Sequence, residues 1–526
     1  MNHKPAIPKD AAAIILIREN KVLWARRNPN IKFLGGWHAF PGGKVEASDA
    51  QIRVANCADA DLEKFIVAAA REVFEEVGVL LVKNGEKLTK GQRASLHDDL
   101  ISERSDFGEI LADWNLHLDA RDFLYAGFWT TPRFSPVRFK TRFFVAECSI
   151  KQEPYAAISE MQSPEFIAPA DALARWAQAK VLISPPVLIT LQELAGIETH
   201  NRAEVERIPK NNADFAFSPS PFFAKSAASL KTCVSNLLAK SEKTGGEINH
   251  IELNPHIVVF PLKTETLPPA THTNCFIVGR REFIVIDAAT RIESEQAKLF
   301  DLIDEFVACG FVCKEIIVSH LHLDHFGGET ALRKHLRDEY GWEIPVSGHR
   351  VTAEALRGRV EFQKFIADEE IINLQDERGA TFELKAFHAP GHARGHLCFY
   401  DEAHGFLLSS DNIVGAGTVV IAPPEGDMID YLASLETMKN LPNLRFLCGS
   451  HGAAIADAPG KIQEYIAHRL EREKQILEVV RNGARTPGEI VEKVYAGLNP
   501  ELKKLAEKSV EAHLEKLRRE GKIESG

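Results

Sequence analysis

Short apolar runs bounded by turn formers recur along most of the chain, and a helical repeat interrupts them near residue 70. Ala13-Ile14-Ile15-Leu16-Ile17 and Lys21-Val22-Leu23-Trp24 read as strands, followed by the turn Asn28-Pro29-Asn30. Phe40-Pro41-Gly42-Gly43-Lys44-Val45-Glu46 has the composition of a loop. The pattern predicts a helix over 62–77, closed by Gly78. Strands are expected again at 123–130 and 142–147. The pattern then weakens over 201–247, where Asn211-Asn212, Ser218-Pro219-Ser220-Pro221 and Thr244-Gly245-Gly246 are breakers, with one helix expected near 224–241. Apolar runs resume at 257–260, 274–278 and 283–286, again as strands. The last stretch, from Lys461, is helical and charged. Its Thr486-Pro487-Gly488-Glu489 has the spacing of a capping box with proline at the first helical position, Asn499-Pro500 opens another helix, and Gly521 closes it.

A chain of 526 residues exceeds one core and implies two or three domains. With 45% hydrophobic and 26% charged residues the composition is that of a soluble globular protein, and the net charge of −11 argues against a surface built to coat nucleic acid. No stretch approaches the roughly 20 apolar residues of a membrane span. The start, Met-Asn-His-Lys-Pro, lacks the form of an export signal, so the cytoplasm is the expected compartment. The eight cysteines include no CxxC pair and read as free thiols in a reducing compartment.

Two segments carry chemistry. Ser-His-Leu-His-Leu-Asp-His-Phe-Gly-Gly at 319–328 places His320, His322, Asp324 and His325 within six positions, directly after Ile316-Ile317-Val318. Imidazole and carboxylate suit zinc and similar divalent ions, and a short loop can turn them toward one centre. Further metal-competent groups stand at the ends of other apolar runs or on glycine loops: His392 in Pro390-Gly391-His392, Asp411 after Phe406-Leu407-Leu408, and His451 in Gly449-Ser450-His451-Gly452.

In order and spacing these elements resemble the metallo-β-lactamase superfamily, in the hydrolase branch with glyoxalase II and the lactamase-beta-2-like proteins. The resemblance covers roughly residues 248–460. It implies an αβ/βα sandwich in which His320, His322 and His392 hold one metal, Asp324, His325 and His451 a second, and Asp411 bridges them. Two Zn²⁺ (or Mn²⁺ or Fe) about 3.5–4 Å apart would then activate a bridging hydroxide against an ester, thioester or phosphodiester. Asp324 is the expected proton acceptor or water orienter, and Asp287 a partner that orients a ligand. His396 is expected to be packed or hydrogen-bonded, and His388 and His404 to be surface residues.

The other segment is Arg71-Glu72-Val73-Phe74-Glu75-Glu76-Val77-Gly78-Val79. On a helix, Glu72, Glu75 and Glu76 share one face, and three like charges so close call for a hard cation of the Mg²⁺ type. Together with the Gly42-Gly43 loop and Glu46 this resembles the Nudix box. The 24 residues between Glu46 and Arg71 exceed the family's usual gap. A branch resembling the coenzyme A diphosphatases carries such an insertion, and Trp129-Thr130-Thr131-Pro132, the run from Arg138 to Phe144, and Leu182-Ile183-Ser184-Pro185-Pro186 agree with it. The resemblance implies an α/β/α sandwich in which Glu72, Glu75 and Glu76 bind Mg²⁺ or Mn²⁺, with one of them helping to activate water against a nucleoside-diphosphate-linked substrate such as a CoA ester.

The tail resembles the small winged-helix-like domain that closes lactamase-beta-2-like proteins, some of which are endoribonucleases. It carries fourteen Lys/Arg against twelve Asp/Glu, and Tyr495 is its only aromatic beyond Tyr465. The expected layout is therefore a Nudix hydrolase-like domain at 10–200, a linker at 201–247, a metallo-β-lactamase-fold domain at 248–460 and a winged-helix-like domain at 461–526. The expected function is a bifunctional metal-dependent hydrolase acting on small diphosphate or thioester substrates. The alternatives are an endoribonuclease whose tail grips single-stranded RNA, and a chain in which one domain is a non-catalytic ligand-binding or regulatory module.

Overall fold

A computed structural model describes residues 6–31, 33–135, 137–156, 160–196, 226–376 and 379–524. The breakers Asn211-Asn212 and Ser218–Pro221 lie outside the described residues. The chain forms two compact units, divided between Asn254 and Pro255.

In the first unit the strands Lys9–Arg18 and Phe139–Glu147 pair in parallel at the centre of a mixed sheet. Lys21–Arg27 and Leu124–Thr130 flank them, and Met161–Ile167 extends the Lys21–Arg27 edge. Successive side chains of a strand point to opposite faces, and the central strand is apolar on both. Ala12, Ile14 and Leu16 join the core built on helix Ala60–Val77, whereas Ala13, Ile15 and Ile17 join a second core with helices Pro169–Ala177 and Pro185–Ala195. Burial on both faces makes this an α/β/α sandwich. The stretch expected as a junction contains helix Ser226–Lys243, whose Cys233, Val234 and Leu237 are buried in the second of these cores. The segment expected to be pure loop contains a short strand, Gly42–Lys44, antiparallel to Ala11–Ala13. Local glycine content hid it, because the pairing is supplied by the distant first strand.

In the second unit two sheets form an αβ/βα sandwich. One runs Ile257–Lys263, His272–Gly279, Glu282–Ile286, Val312–Val318, Val346–Gly348, Lys364–Phe365; the other runs Ile371–Gln375, Thr381–His388, Leu397–Asp401, Phe406–Ser410, Phe446–Gly449. Helices Glu293–Ala308 and Glu329–Tyr340 cover the first sheet, and Met428–Lys439 and Ala458–Arg481 cover the second. Helix Ala458–Arg481 continues into a small helical bundle with Pro487–Val494 and Lys503–Arg519, centred on Ile476, Ile490, Val510, Leu514 and Leu517. The Thr486–Glu489 capping box forms as its spacing predicts. Among the described residues no helix is long and apolar enough to cross a membrane.

Candidate metal centre

Four strand ends and one loop of the second unit deliver the predicted ligands. Val312–Val318 leads into Ser319 and His320; His322 then caps the short helix Leu323–Phe326, which carries Asp324 and His325. Thr381–His388 leads to the His392 loop, Phe406–Ser410 to Asp411, and Phe446–Gly449 to His451. The ligand atoms of His320, His322, His392 and Asp411 lie within 4.8 Å of one another, and so do those of Asp324, His325 and His451. Asp411 stands between the groups: Oδ2 is 3.6 Å from His392 Nε2 and 3.5 Å from His325 Nε2, and Oδ1 is 3.4 Å from His451 Nε2. All seven side chains singled out in the sequence therefore meet in space.

The surrounding hydrogen bonds turn these groups inward. His392 Nδ1 faces Val420 O at 3.0 Å and His451 Nδ1 faces His272 O at 2.9 Å. A carbonyl can only accept, so these nitrogens donate, and in the neutral ring each Nε2 offers its lone pair to the centre. His325 Nδ1 donates to Asp287 Oδ2 at 2.8 Å. Asp287 is fully buried and also accepts from Ser319 N and Ser319 Oγ at 2.8 and 2.7 Å. His325 Nε2 and Asp411 Oδ1 are buried without a hydrogen-bond partner. Such orphaned atoms are costly unless something binds them, and convergent imidazoles and carboxylates are the donor set for zinc-class cations. The residues fit divalent metal binding. Burial, then neighbouring His322, pushes His392 down to about 4, which leaves it neutral and able to ligate at pH 7. Burial opposes ionisation of Asp411, but His451 and His325 outweigh it and hold its carboxyl well below the usual range.

The sequence signal missed several supports. Asn274, inside an otherwise apolar strand, is 2% exposed; its Nδ2 donates to Gly449 O and Gly452 O at 2.8 and 2.9 Å and its backbone N–H to Ser450 O, clamping the His451 loop. A polar residue within a buried strand was the available clue. Thr273 Oγ1 donates to Asp324 Oδ2 at 3.2 Å. The hydroxyls of Ser319, Ser410 and Ser450, each one residue before a ligand, form a buried chain with spacings of 2.8 and 3.2 Å. His396 is buried and its Nε2 accepts from Asp411 N at 3.2 Å. His388 and His404, expected on the surface, are half-buried because each ring has a partner: His388 stacks on His349, and His404 faces Asp401 at 2.8 Å. Beside Asp324 opens a cavity of about 300 Å³ lined by Thr264, Glu265, Thr290, Arg291, Ile292 and Leu323, among others.

Family models match three segments of the chain: the NUDIX domain at 8–104, the metallo-beta-lactamase superfamily at 268–451 and the beta-lactamase associated winged helix domain at 486–526. An atrochrysone carboxyl ACP thioesterase from Pseudocercospora fijiensis is 31% identical over 264 residues, which span 48% of this chain and 71% of the relative. The chain belongs to the metallo-β-lactamase superfamily. Its metallo-β-lactamase domain is joined to an N-terminal NUDIX domain and a C-terminal winged helix domain, and the chain is a hydrolase. A thioesterase of the same name from Claviceps purpurea is 32% identical over 210 residues, 39% of this chain; the chain spans 59% of that relative's length. A solved NUDIX hydrolase from Alicyclobacillus acidocaldarius is 29% identical, covering 36% of this chain and 92% of that one, with a TM-score of 0.32.

In the NUDIX domain the helix Ala60–Val77 ends at Gly78 with φ 68°, and its last turns carry the three glutamates. Glu72 and Glu75 both accept from Arg71 Nη1, at 3.0 and 3.1 Å, while Glu76 Oε2 accepts from Gly42 N at 2.9 Å and its Oε1 is buried without a partner. Their oxygens are less tightly gathered than the two groupings of the metallo-β-lactamase domain, the clusters within 4.8 Å among the described residues. Gly43 lets the Glu72 carboxylate lie close against the loop: a Cβ there would sit 2.4 Å from it and push it aside. Arg71 is also held by a loop acid, Asp49, 1% exposed, which accepts from Arg71 Nε and Nη2 at 2.9 and 3.0 Å. Burial raises all three glutamates, Glu72 to about 7, and Glu76, with Glu72 beside it, well above the usual carboxylate range. Buried carboxyls that resist ionisation, one with an orphaned oxygen, fit a divalent cation that would stabilise the anions.

Proposed function

We propose that the metallo-β-lactamase domain is a binuclear metal-dependent thioesterase and that the NUDIX domain hydrolyses a nucleoside-diphosphate-linked substrate, a CoA-type molecule being one that both could share. The observation that carries this reading is the convergence of His320, His322, His392 and Asp411 with Asp324, His325 and His451. Divalent cations bound there would lower the pKa of water toward neutrality and polarise the scissile carbonyl. Asp324 Oδ2, steadied by Thr273, is placed to accept a proton and to orient the attacking water. Asp287 keeps the proton of His325 on Nδ1 and so keeps Nε2 available as a ligand.

Thioester is favoured over RNA by two observations. The roughly 300 Å³ cavity beside Asp324 suits a small acyl group and contains one cation, Arg291, itself paired with Glu265. Several basic groups of the winged helix domain are already paired within the chain: Lys516 with Glu473 and Glu520, Lys503 with Glu492, and Arg519 with Asp427. The thioesterase names of the relatives point the same way. In the NUDIX domain Glu72, Glu75 and Glu76 are the proposed cation ligands, and retention of both ligand sets favours two working sites over a domain kept only for binding.

Purified protein assayed against acyl-CoA, free CoA and single-stranded RNA tests the proposal. Asp324→Ala should abolish thioester hydrolysis and spare the diphosphatase, and Glu76→Gln should do the reverse. Thioesterase activity that survives Asp324→Ala, or RNA cleavage in place of it, would sink the reading.

A further inference from the structure

Helix Ala458–Arg481, which leads from the metallo-β-lactamase domain into the winged helix domain, reaches the metal centre through two side chains one turn apart, Tyr465 and Arg469. Arg469 is 5% exposed. Its Nη2 donates to Val419 O at 2.6 Å, and its guanidinium lies 5.3 Å from the centre of the Tyr431 ring. The next carbonyl along, Val420 O, accepts from His392 Nδ1 at 3.0 Å. Tyr465 Oη donates to Val414 O at 3.1 Å and accepts from Val414 N at 3.3 Å, three residues beyond Asp411. The two side chains therefore pin both ends of the segment that leaves Asp411 and returns to touch His392. That segment is irregular after Asn412, with no strand or helix before Met428, so no ladder holds it. Farther along, Asp427 N donates to Gly391 O at 2.9 Å, and the Asp427 carboxylate is bound by Arg519 from the last helix.

The geometry points to Arg469 as a positioning residue for the metal centre, fixing the Val419–Val420 backbone against which His392 is oriented and so making the helix that leads into the C-terminal domain a structural part of the proposed hydrolytic site. A guanidinium held beneath a ring and aimed at one carbonyl constrains that peptide in direction as well as distance. The carbonyl of Val420 decides which nitrogen of His392 carries the proton and where its lone pair points. Partners of metal ligands typically change affinity about 10–100-fold when removed, and Arg469 acts one peptide farther out, so a loss toward the lower end of that range is expected. The inference rests on the proposal that His392 ligates a cation.

The test uses the full chain. Co²⁺ is titrated into metal-free wild type, Arg469→Met, Arg469→Lys and His392→Ala, reading the visible d–d spectrum and affinity by chelator competition, with thermal unfolding measured on the same samples. Arg469→Met should weaken one Co²⁺ equivalent about tenfold and alter its spectrum, and Arg469→Lys, which keeps charge and stem but not the planar fork, should restore part of the affinity. Wild-type affinity and spectrum in Arg469→Met overturn the inference. If Arg469→Met does not fold, Arg469→Lys is read in its place: an altered Co²⁺ spectrum supports the inference, and wild-type affinity and spectrum overturn it. Failure of the underlying reading is separate, because His392→Ala would then bind Co²⁺ as wild type does.

Discussion

Asp287 shows how much of the centre depends on one side chain that touches no cation in the proposed scheme. It sits at φ +58°, a left-handed conformation that asparagine tolerates better than most residues, and collects three hydrogen bonds from Ser319 and His325. Asp287→Asn should preserve the backbone yet put an amide donor where only acceptors fit. The expected outcome is a roughly 10–100-fold loss of metal affinity, measured by chelator competition, with little change in thermal unfolding of the metal-free protein. Glu72 makes a complementary prediction for the NUDIX domain. Burial raises its carboxyl to about 7, so the folded metal-free domain holds a proton that the unfolded chain releases near pH 4.5. Stability from this group is complete below pH 4.5 and lost as pH rises through 7. Mg²⁺ bound at the proposed site would replace that proton, so its stabilisation of the domain should be greater at pH 8 than at pH 5. Melting curves with and without Mg²⁺ at both values check the sign, and a larger Mg²⁺ effect at pH 5 contradicts it.

At the level of elements, the candidate ligands were readable because each lies near the end of an apolar run that reads as a strand or on a glycine loop. His320 follows Val312–Val318 and Asp411 follows Phe406–Ser410; the end of the first strand, from Glu315 to Val318, and the whole of the second are buried on both faces. The supports were not readable in the same way. Asn274 acts on a loop 175 residues away, and Asp49 acts on Arg71 from within the insertion, 22 residues away; no local period connects such partners. Nothing in the polar stretch around Asp49 distinguished it from Asp59 or Asp61, which serve the N-terminus of helix Ala60–Val77. Glycines were more legible, since the motifs placed them beside the chemistry. Gly391 has φ +128°, and a Cβ there would lie 2.2 Å from Tyr431 Cα, a backbone atom that cannot swing aside. Gly391→Ala should cost about 1–3 kcal/mol in denaturant unfolding of the second unit. It should also lower thioester hydrolysis at least tenfold, because the same shift carries His392 away from its neighbours. An unchanged midpoint and rate would show that the loop adapts.

At the scale of the whole molecule, two compact units each present a hydrolase domain with its own ligand chemistry. The first gathers glutamates on one helix, suited to a hard cation; the second gathers imidazoles and aspartates from strand ends, suited to borderline ions. The proposed thioesterase rests on the second set binding two cations rather than one. Metal analysis of the chain reconstituted with Zn²⁺, with Glu72, Glu75 and Glu76 all changed to Gln to silence the NUDIX site, measures this directly. The account predicts two equivalents per chain, both lost to chelator together with thioester hydrolysis, and no more than one remaining after Asp411→Ala. One equivalent or fewer in the parent, or two that persist unaltered without Asp411, would contradict it.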